Sequence, residues 1–276
     1  MEYSIETHNL KKSFRIYHKS EGVLQSIKGI WQRKSFDKVA LEATNLKIEA
    51  GQIVGIVGSN GAGKTTLLKL FSGLITPTSG EAKILGFNPR ERKNDFLRQI
   101  SILLGQKNQL WWDITPLDSF SLLCKIYDQD KKKHTQRIDE LSTLLGCTSV
   151  LNTQLRKLSL GERMKMEIIG ALLHDPKVIF LDEPTIGLDL VAQESMRKFL
   201  IEYTKEKKPT ILLTSHYMED ITALANKLLL MSKGNIVYEG TVELLTSQGL
   251  FKGNEGKNEN FEEIIKNFLE KESRLF

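Results

Sequence analysis

Residues 58–66 read GSNGAGKTT, and this stretch limits what the rest of the chain can fold into. Gly58, then four residues, then Gly63-Lys64-Thr65 is the spacing of a phosphate-binding loop. Glycines admit positive φ and let successive N–H groups approach a triphosphate without Cβ interference. Lys64 supplies a point charge for the β- and γ-phosphates, and the Thr65 hydroxyl is a natural Mg²⁺ ligand. The candidate nucleotide-binding residues are therefore Gly58, Ser59, Asn60, Gly61, Ala62, Gly63, Lys64, Thr65 and Thr66. An apolar run, QIVGIV at 52–57, precedes the loop as a strand, and TLLKLFS at 66–72 follows it with helical spacing. Strand, glycine-rich loop and helix N-terminus together form an anion site.

The remaining pattern supplies a sheet around that loop. YSIETHNLKK at 3–12 alternates loosely and reads as an edge strand. A basic segment of about 18–38 looks inserted before a second strand, ALEATNLKIE at 40–49. After a turn at 77–80 and a short strand at 81–85, residues of about 91–165 turn helical, most clearly at 117–127 and 137–145. VIFLD at 178–182 is continuously apolar up to its aspartate, as expected of a central parallel strand buried on both faces. A helix at 191–202, a strand at 210–214, another helix and two strand-like pieces at 227–231 and 236–239 follow. One domain thus spans 1–245, and 246–276 read as a linker and a terminal helix.

No apolar run approaches the ~20 residues that cross a bilayer, and the start MEYSIE lacks the basic and apolar parts of a secretory signal. Cys124 and Cys147 show neither metal spacing nor a disulfide framework. These features predict a cytoplasmic chain. Its net charge of +5 is uneven, because between Lys11 and Lys38 eight Lys/Arg stand against two acids. In the same segment Val23, Leu24, Ile27, Ile30 and Trp31 share one helical face. A solvated face and a patch that meets an anionic partner are both open readings of that segment.

Five further elements match the needs of ATP chemistry. Asp182 and Glu183 end the buried strand, where one carboxylate can hold Mg²⁺ and the next can orient or deprotonate a water. Gly187-Leu-Asp189 reads as a tight turn, and His216 follows the strand at 210–214 on the phosphate-loop side of the sheet. Ser159 and Gly161, in LSLGE, stand at a helix start and offer a second anion site. One nucleotide already has its cradle, so that second element suits a nucleotide held by another subunit. Gln106 sits where the sheet gives way to the helical part, a place for a γ-phosphate sensor.

On these residues, over roughly 3–241, the chain resembles the nucleotide-binding subunit of an ATP-binding cassette (ABC) transporter. The resemblance implies an α/β fold, a P-loop NTPase (RecA-like) core with an antiparallel β subdomain and an α-helical signature subdomain. It implies that GSNGAGKTT is the Walker A loop and VIFLDEP the Walker B strand. It makes Glu183 the catalytic base, Gln106 the Q-loop glutamine, Asp189 the D-loop aspartate and His216 the switch histidine. Thr65, Gln106 and Asp182 would then be the Mg²⁺ residues. LSLGE departs from the family's LSGGQ at Leu160 and Glu162, while Ser159 and Gly161 are kept; all of Ser159, Gly161 and Glu162 count as nucleotide-site candidates. An adenine-stacking aromatic is expected before Ala40, with Phe36 the candidate and Tyr17 its competitor.

GQKNQLWWD at 105–113, LSLGER and the insertion resemble, more narrowly, ATPases paired with type-2 exporter permeases. The implied partners are integral-membrane permease subunits and a second, head-to-tail copy of the chain, at the cytoplasmic face of the cell membrane. Nucleic acid is not an expected partner. The 18–34 face has three candidate contacts: an anionic membrane surface, the cassette's own strands, or the permease. Trp111 and Trp112 fit either an interface or the helical core. The competing functional readings are a non-transport cassette acting on ribosomes or DNA and a catalytically silent subunit. The single phosphate loop, the absence of sustained heptads, and the presence of Lys64, Glu183 and His216 argue against them.

Overall fold

The computed structural model describes residues 3–17, 35–105, 108–241, 244–245 and 265. The basic segment 18–34, Gln106 and nearly all of the expected C-terminal linker and helix lie outside them.

Two sheets share one core. The antiparallel sheet is built on β1 (Tyr3–Tyr17), which pairs with β2 (Ser35–Thr44), β3 (Lys47–Glu49) and β5 (Ser79–Ile84). Three partners make β1 the centre of this sheet rather than the edge strand its alternation suggested. Alternation marks one wet face, and an antiparallel sheet has one whether or not the strand is at its edge. The strand after the basic segment begins at Ser35, not near Ala40, so 35–38 pair with the end of β1. The expected single strand at 40–49 is broken at Asn45, whose side-chain oxygen accepts the Asn9 N–H at 2.8 Å.

The main sheet runs β10-β9-β4-β8-β7-β6, from β4 (Ile53–Gly58), β6 (Ile100–Leu104), β7 (Val178–Asp182), β8 (Thr210–Thr214), β9 (Lys227–Ser232) and β10 (Asn235–Gly240). All of its pairs are parallel except β9 with β10. Alternate residues of β7 serve opposite faces: Val178 and Phe180 join the cluster of Leu67, Leu68 and Phe71, and Ile179 and Leu181 join that of Met166, Ile169 and Phe199. The apolar run is therefore continuous because both faces are covered.

The first face carries α1 (Lys64–Phe71) and the inner side of the antiparallel sheet. The second carries α3 (Pro116–Ile126), α4 (Lys131–Leu144), α5 (Leu160–Leu172), α6 (Leu190–Lys207) and α7 (Met218–Leu224), while a short α2 (Asn94–Leu97) leads into β6 with Phe96 packed in the first-face cluster. The helical stretch expected over 91–165 is thus interrupted by β6, which belongs to the main sheet, and it runs on to Leu172. Helix starts follow local chemistry. Thr115 and Asp118 form a capping box with Pro116 just inside α3, Ser159 and Glu162 form another at α5, and Asp189 caps α6 by accepting the Ala192 N–H.

Candidate functional site

Parallel pairing aligns the C-terminal ends of β4, β8, β7 and β6, where open α/β sheets bind ligands. Asp182 stands in register with Thr214 on one side and Leu104 on the other, so Gly58, Thr214, Asp182 and Gly105 emerge along one edge.

The loop after β4 is shaped from behind. A Cβ at Gly58 would lie 2.2 Å from the Met231 carbonyl, and one at Gly63, which has φ 108°, would lie 2.4 Å from that of Ala40. Both positions therefore require glycine. The Gly234 N–H reaches the Ala62 carbonyl at 3.0 Å, and the Glu42 N–H reaches that of Gly234 at 2.8 Å, which ties the loop to β2 and the β9–β10 turn. Lys64 begins α1 and is buried, its Nζ donating to the Gly58 carbonyl at 2.6 Å and the Ser59 carbonyl at 3.2 Å. Burial lowers its pKa from the ordinary lysine value, and the nearby carboxylates of Glu183 and Asp182 oppose that shift.

Thr65 Oγ1 donates to Asp182 Oδ2 at 2.9 Å, and Thr214 Oγ1 donates to Asp182 Oδ1 at 2.7 Å. A hydroxyl and a carboxylate held together beside a phosphate loop are hard oxygen donors, a set that fits Mg²⁺ better than a softer metal. Beyond Asp182 the chain turns sharply. Glu183 has φ 56°, a region sparsely used by residues other than glycine, and its N–H is shared between the Thr214 carbonyl and hydroxyl. The turn brings Glu183 Oε1 within 2.8 Å of His216 Nε2, so a carboxylate and an imidazole form a hydrogen-bonded pair at the edge of the phosphate loop. A Cβ at Gly105 would lie 2.5 Å from the Glu183 carbonyl, so the chain at Gly105 passes against the backbone of the Asp182–Glu183 turn.

LSLGE opens α5, with Ser159 at its N-cap. Leu160 packs within 3.2 Å of a Cβ placed at Gly187, and a Cβ at Gly161 would meet Ala192 at 3.4 Å. Among the described residues no hydrogen bond or ion pair joins Ser159, Gly161 or Glu162 to the phosphate loop. Ser159 N–H and Oγ instead donate to Glu162 Oε2, at 2.9 and 2.8 Å, and these bonds hold the Glu162 pKa below the usual carboxylate value. Asp189 stands on the same side, at the head of α6. Phe36 is half exposed on β2, opposite Ile16 and on the strand whose Ala40 backs the loop. Trp111 and Trp112 are surface residues, 43% and 41% exposed, rather than helical core. The Arg163 guanidinium lies 4.9 Å over the Trp112 ring, and buried Glu167 of α5 accepts the N–H groups of Gln109 and Leu110 just before the pair.

Thr214 as a partner of Asp182 was not singled out from sequence, nor were Glu167 and Asp220. Asp220 recurs on the apolar face of its helix with Ile221 and Leu224, and that placement was the available signal.

Residues 41–186 match the family described as ABC transporter. The chain is 34% identical over 206 residues to the ABC transporter ATP-binding protein NatA of Bacillus subtilis, covering 75% of this chain and 83% of that protein. It is 34% identical over 223 residues to the methionine import ATP-binding protein MetN 3 of Bacillus cereus, covering 80% of this chain and 65% of that protein. It is 32% identical over 200 residues to the bacitracin transport ATP-binding protein BcrA of Bacillus licheniformis, covering 72% of this chain and 64% of that protein. In fold it is similar to cbiO1 of Clostridium perfringens, with TM-score 0.72, 23% identity and coverage of 100% of this chain and 98% of that one. It is also similar to a dimeric ATP-binding cassette in a post-hydrolysis state with ADP and Pi, with TM-score 0.71, 23% identity and coverage of 86% of this chain and 98% of that one. The geometry around the phosphate loop and these matches agree: the chain belongs to the ABC transporter family, as one of its ATP-binding, ATP-hydrolysing cassettes.

Proposed function

We propose that this chain works as a pair of identical cassettes powering export through separate permease subunits at the cytoplasmic face of the membrane. One observation carries the reading: the phosphate loop, Asp182 and the Glu183–His216 pair meet at one sheet edge, while Ser159 and Gly161, at the head of α5, make no hydrogen bond to the phosphate loop among the described residues. Each chain then has half of two sites, and a head-to-tail pair completes both.

Within such a site Lys64, the loop amides and Thr65 bind the triphosphate, and Phe36 stacks on the adenine. Thr65 and Asp182, with Gln106, would hold Mg²⁺, which when bound neutralises phosphate charge. Glu183 accepts a proton from the attacking water as its oxygen bonds to the γ-phosphorus and the bond to the ADP oxygen breaks. His216, 2.8 Å from Glu183, fixes the direction of that carboxylate. Ser159 and Gly161 of the second copy close over the γ-phosphate, with Glu162 and Asp189 beside them.

Among the described residues no helix is long and apolar enough to cross a membrane, so a membrane partner is part of the reading. A cavity of about 420 Å³ between α2, β6, α3 and α5 opens beside exposed Leu74 and Ile126, and we assign it to the permease. Ile126→Glu together with Leu74→Glu is expected to abolish co-purification with the permease while leaving hydrolysis by the isolated chain unchanged. Undiminished co-purification of the folded variant sinks the assignment. Export is supported by the GQKNQLWWD and LSLGER sequences and the exposed tryptophan pair. The methionine import relative favours import as the second reading. ATP-driven uptake of substrate into inverted membrane vesicles separates the two, because only an exporter fills them.

The 18–34 segment, outside the described residues, is proposed to rest on anionic lipid, where each basic residue contributes ~1 kcal/mol. Charge reversal of Lys19, Lys28, Arg33 and Lys34 should then abolish low-salt binding to phosphatidylserine vesicles. A wild-type chain that does not bind them at low salt rules the contact out.

A further inference from the structure

We propose that Asp220 is a positioning residue for ATP hydrolysis, holding the Glu183–His216 pair through Ser215 and Thr185; the inference rests on the roles given above to that pair. Asp220 lies on α7 with 0% exposure. A carboxylate so deeply buried is kept only where charge and hydrogen bonds compensate it. Here Oδ2 accepts from Thr185 Oγ1 and, at 2.7 Å, from Ser215 Oγ, while Oδ1 meets Arg197 Nη1 at 2.9 Å. Arg197 in turn reaches Glu219 at 3.2 Å.

The placement of these partners gives Asp220 its reach. Thr185 follows Glu183 by two residues, and Ser215 directly precedes His216. Ser215 Oγ also accepts the Tyr217 N–H at 3.0 Å, so its hydroxyl clasps the backbone on both sides of the histidine. One carboxylate therefore fixes the segments that carry both members of a pair 2.8 Å apart. Glu183 stands at φ 56°, a conformation that persists only where its surroundings enforce it. Arg197 adds a link to α6, the helix that Asp189 caps.

A buried ion pair can also act on stability alone, and the test separates the two roles. Full-length Asp220→Asn, Ser215→Ala and the double variant are compared for kcat, KM and ATP binding, at a temperature where circular dichroism shows each to be folded. Displacement of a catalytic pair on the ångström scale costs about 10²-fold in rate. The expected result is a fall in kcat of about 10- to 10²-fold for each single variant with ATP binding unchanged. The double variant should lose no more than Asp220→Asn alone, because both changes break the same clasp. Unchanged kcat in both single variants, with a lowered Tm for Asp220→Asn, overturns the proposal and leaves a purely stabilising ion pair. Fully additive losses overturn the route through Ser215. Should Asp220→Asn not fold, Ser215→Ala decides, since it deletes one hydroxyl and no charge. Glu183→Gln is measured beside them. If it too keeps wild-type turnover, the role of the pair fails and this proposal with it, whereas loss there alone overturns only the part given to Asp220.

Discussion

Glu183→Gln is expected to bind ATP, hydrolyse it about 10²- to 10⁴-fold more slowly and accumulate as a closed dimer. The amide keeps the size of the carboxylate and can still contact His216 Nε2, now 2.8 Å from Oε1, but it cannot take a proton from water. Binding survives because its contacts lie elsewhere, in Lys64, the loop amides and the Thr65–Asp182 pair. The expected signature is thus a split, with nucleotide affinity retained and turnover lost. Single-turnover hydrolysis with radiolabelled ATP gives the rate, and size-exclusion chromatography with ATP gives the dimer. Near wild-type turnover would move the base elsewhere, and His216→Ala would then be the informative variant. A variant that stays monomeric with ATP while hydrolysing slowly would instead break the link between ATP retention and closure.

Much of this site could be read from the chain because its parts lie close together in sequence. The spacing from Gly58 to Thr65 and the run that ends in Asp182 each combine an element type with a reactive residue, so motif and position arrive together. The strands at Val178–Asp182 and Thr210–Thr214 have the bounds their apolar runs suggest, because burial on both faces leaves no exposed position to blur them. Ile100–Leu104 is just as apolar yet was absorbed into a helical stretch. Five residues between short helical segments carry no period that separates strand from helix, and only pairing with β7 decides. β1 misled for a related reason, since alternation reports a solvated face and not the number of neighbours. Long-range partners were the least legible. Thr214 caps Asp182 from 32 residues away, and Asp220, although it shares the apolar face of its helix, shows no partner in MEDI until Thr185, Arg197 and Ser215 close around it. Hydrogen bonds between separate elements leave no spacing to find.

Ser159→Arg is expected to leave ATP binding by the isolated chain intact while lowering hydrolysis by at least about 10²-fold, the scale of a lost positioning contact. Lys64→Ala, by contrast, should lose binding itself. The difference follows from where the two residues stand. Lys64 bonds within the phosphate loop, whereas Ser159 caps α5, whose next residues Leu160 and Gly161 stand beside Gly187 and Ala192. An arginine there cannot obstruct the chain's own nucleotide, but it fills the space into which a second copy's γ-phosphate must come. Glu162 sharpens the case. Its carboxylate already takes both donors of Ser159, and those bonds keep it charged by lowering its pKa. An incoming phosphate must therefore displace a like charge from the helix N-terminus before Ser159 can turn to it. Glu162→Gln removes that repulsion while keeping a side chain able to close the capping box, and is expected to promote ATP-driven dimerisation. Fluorescent-nucleotide titration gives binding, and chromatography of each change in the Glu183→Gln background gives closure. If Ser159→Arg lost ATP binding as completely as Lys64→Ala, the two half-sites would belong to one chain and the head-to-tail pair would be wrong. If Ser159→Arg bound ATP and still closed as a dimer with unchanged hydrolysis, Ser159 would have no place at the phosphates.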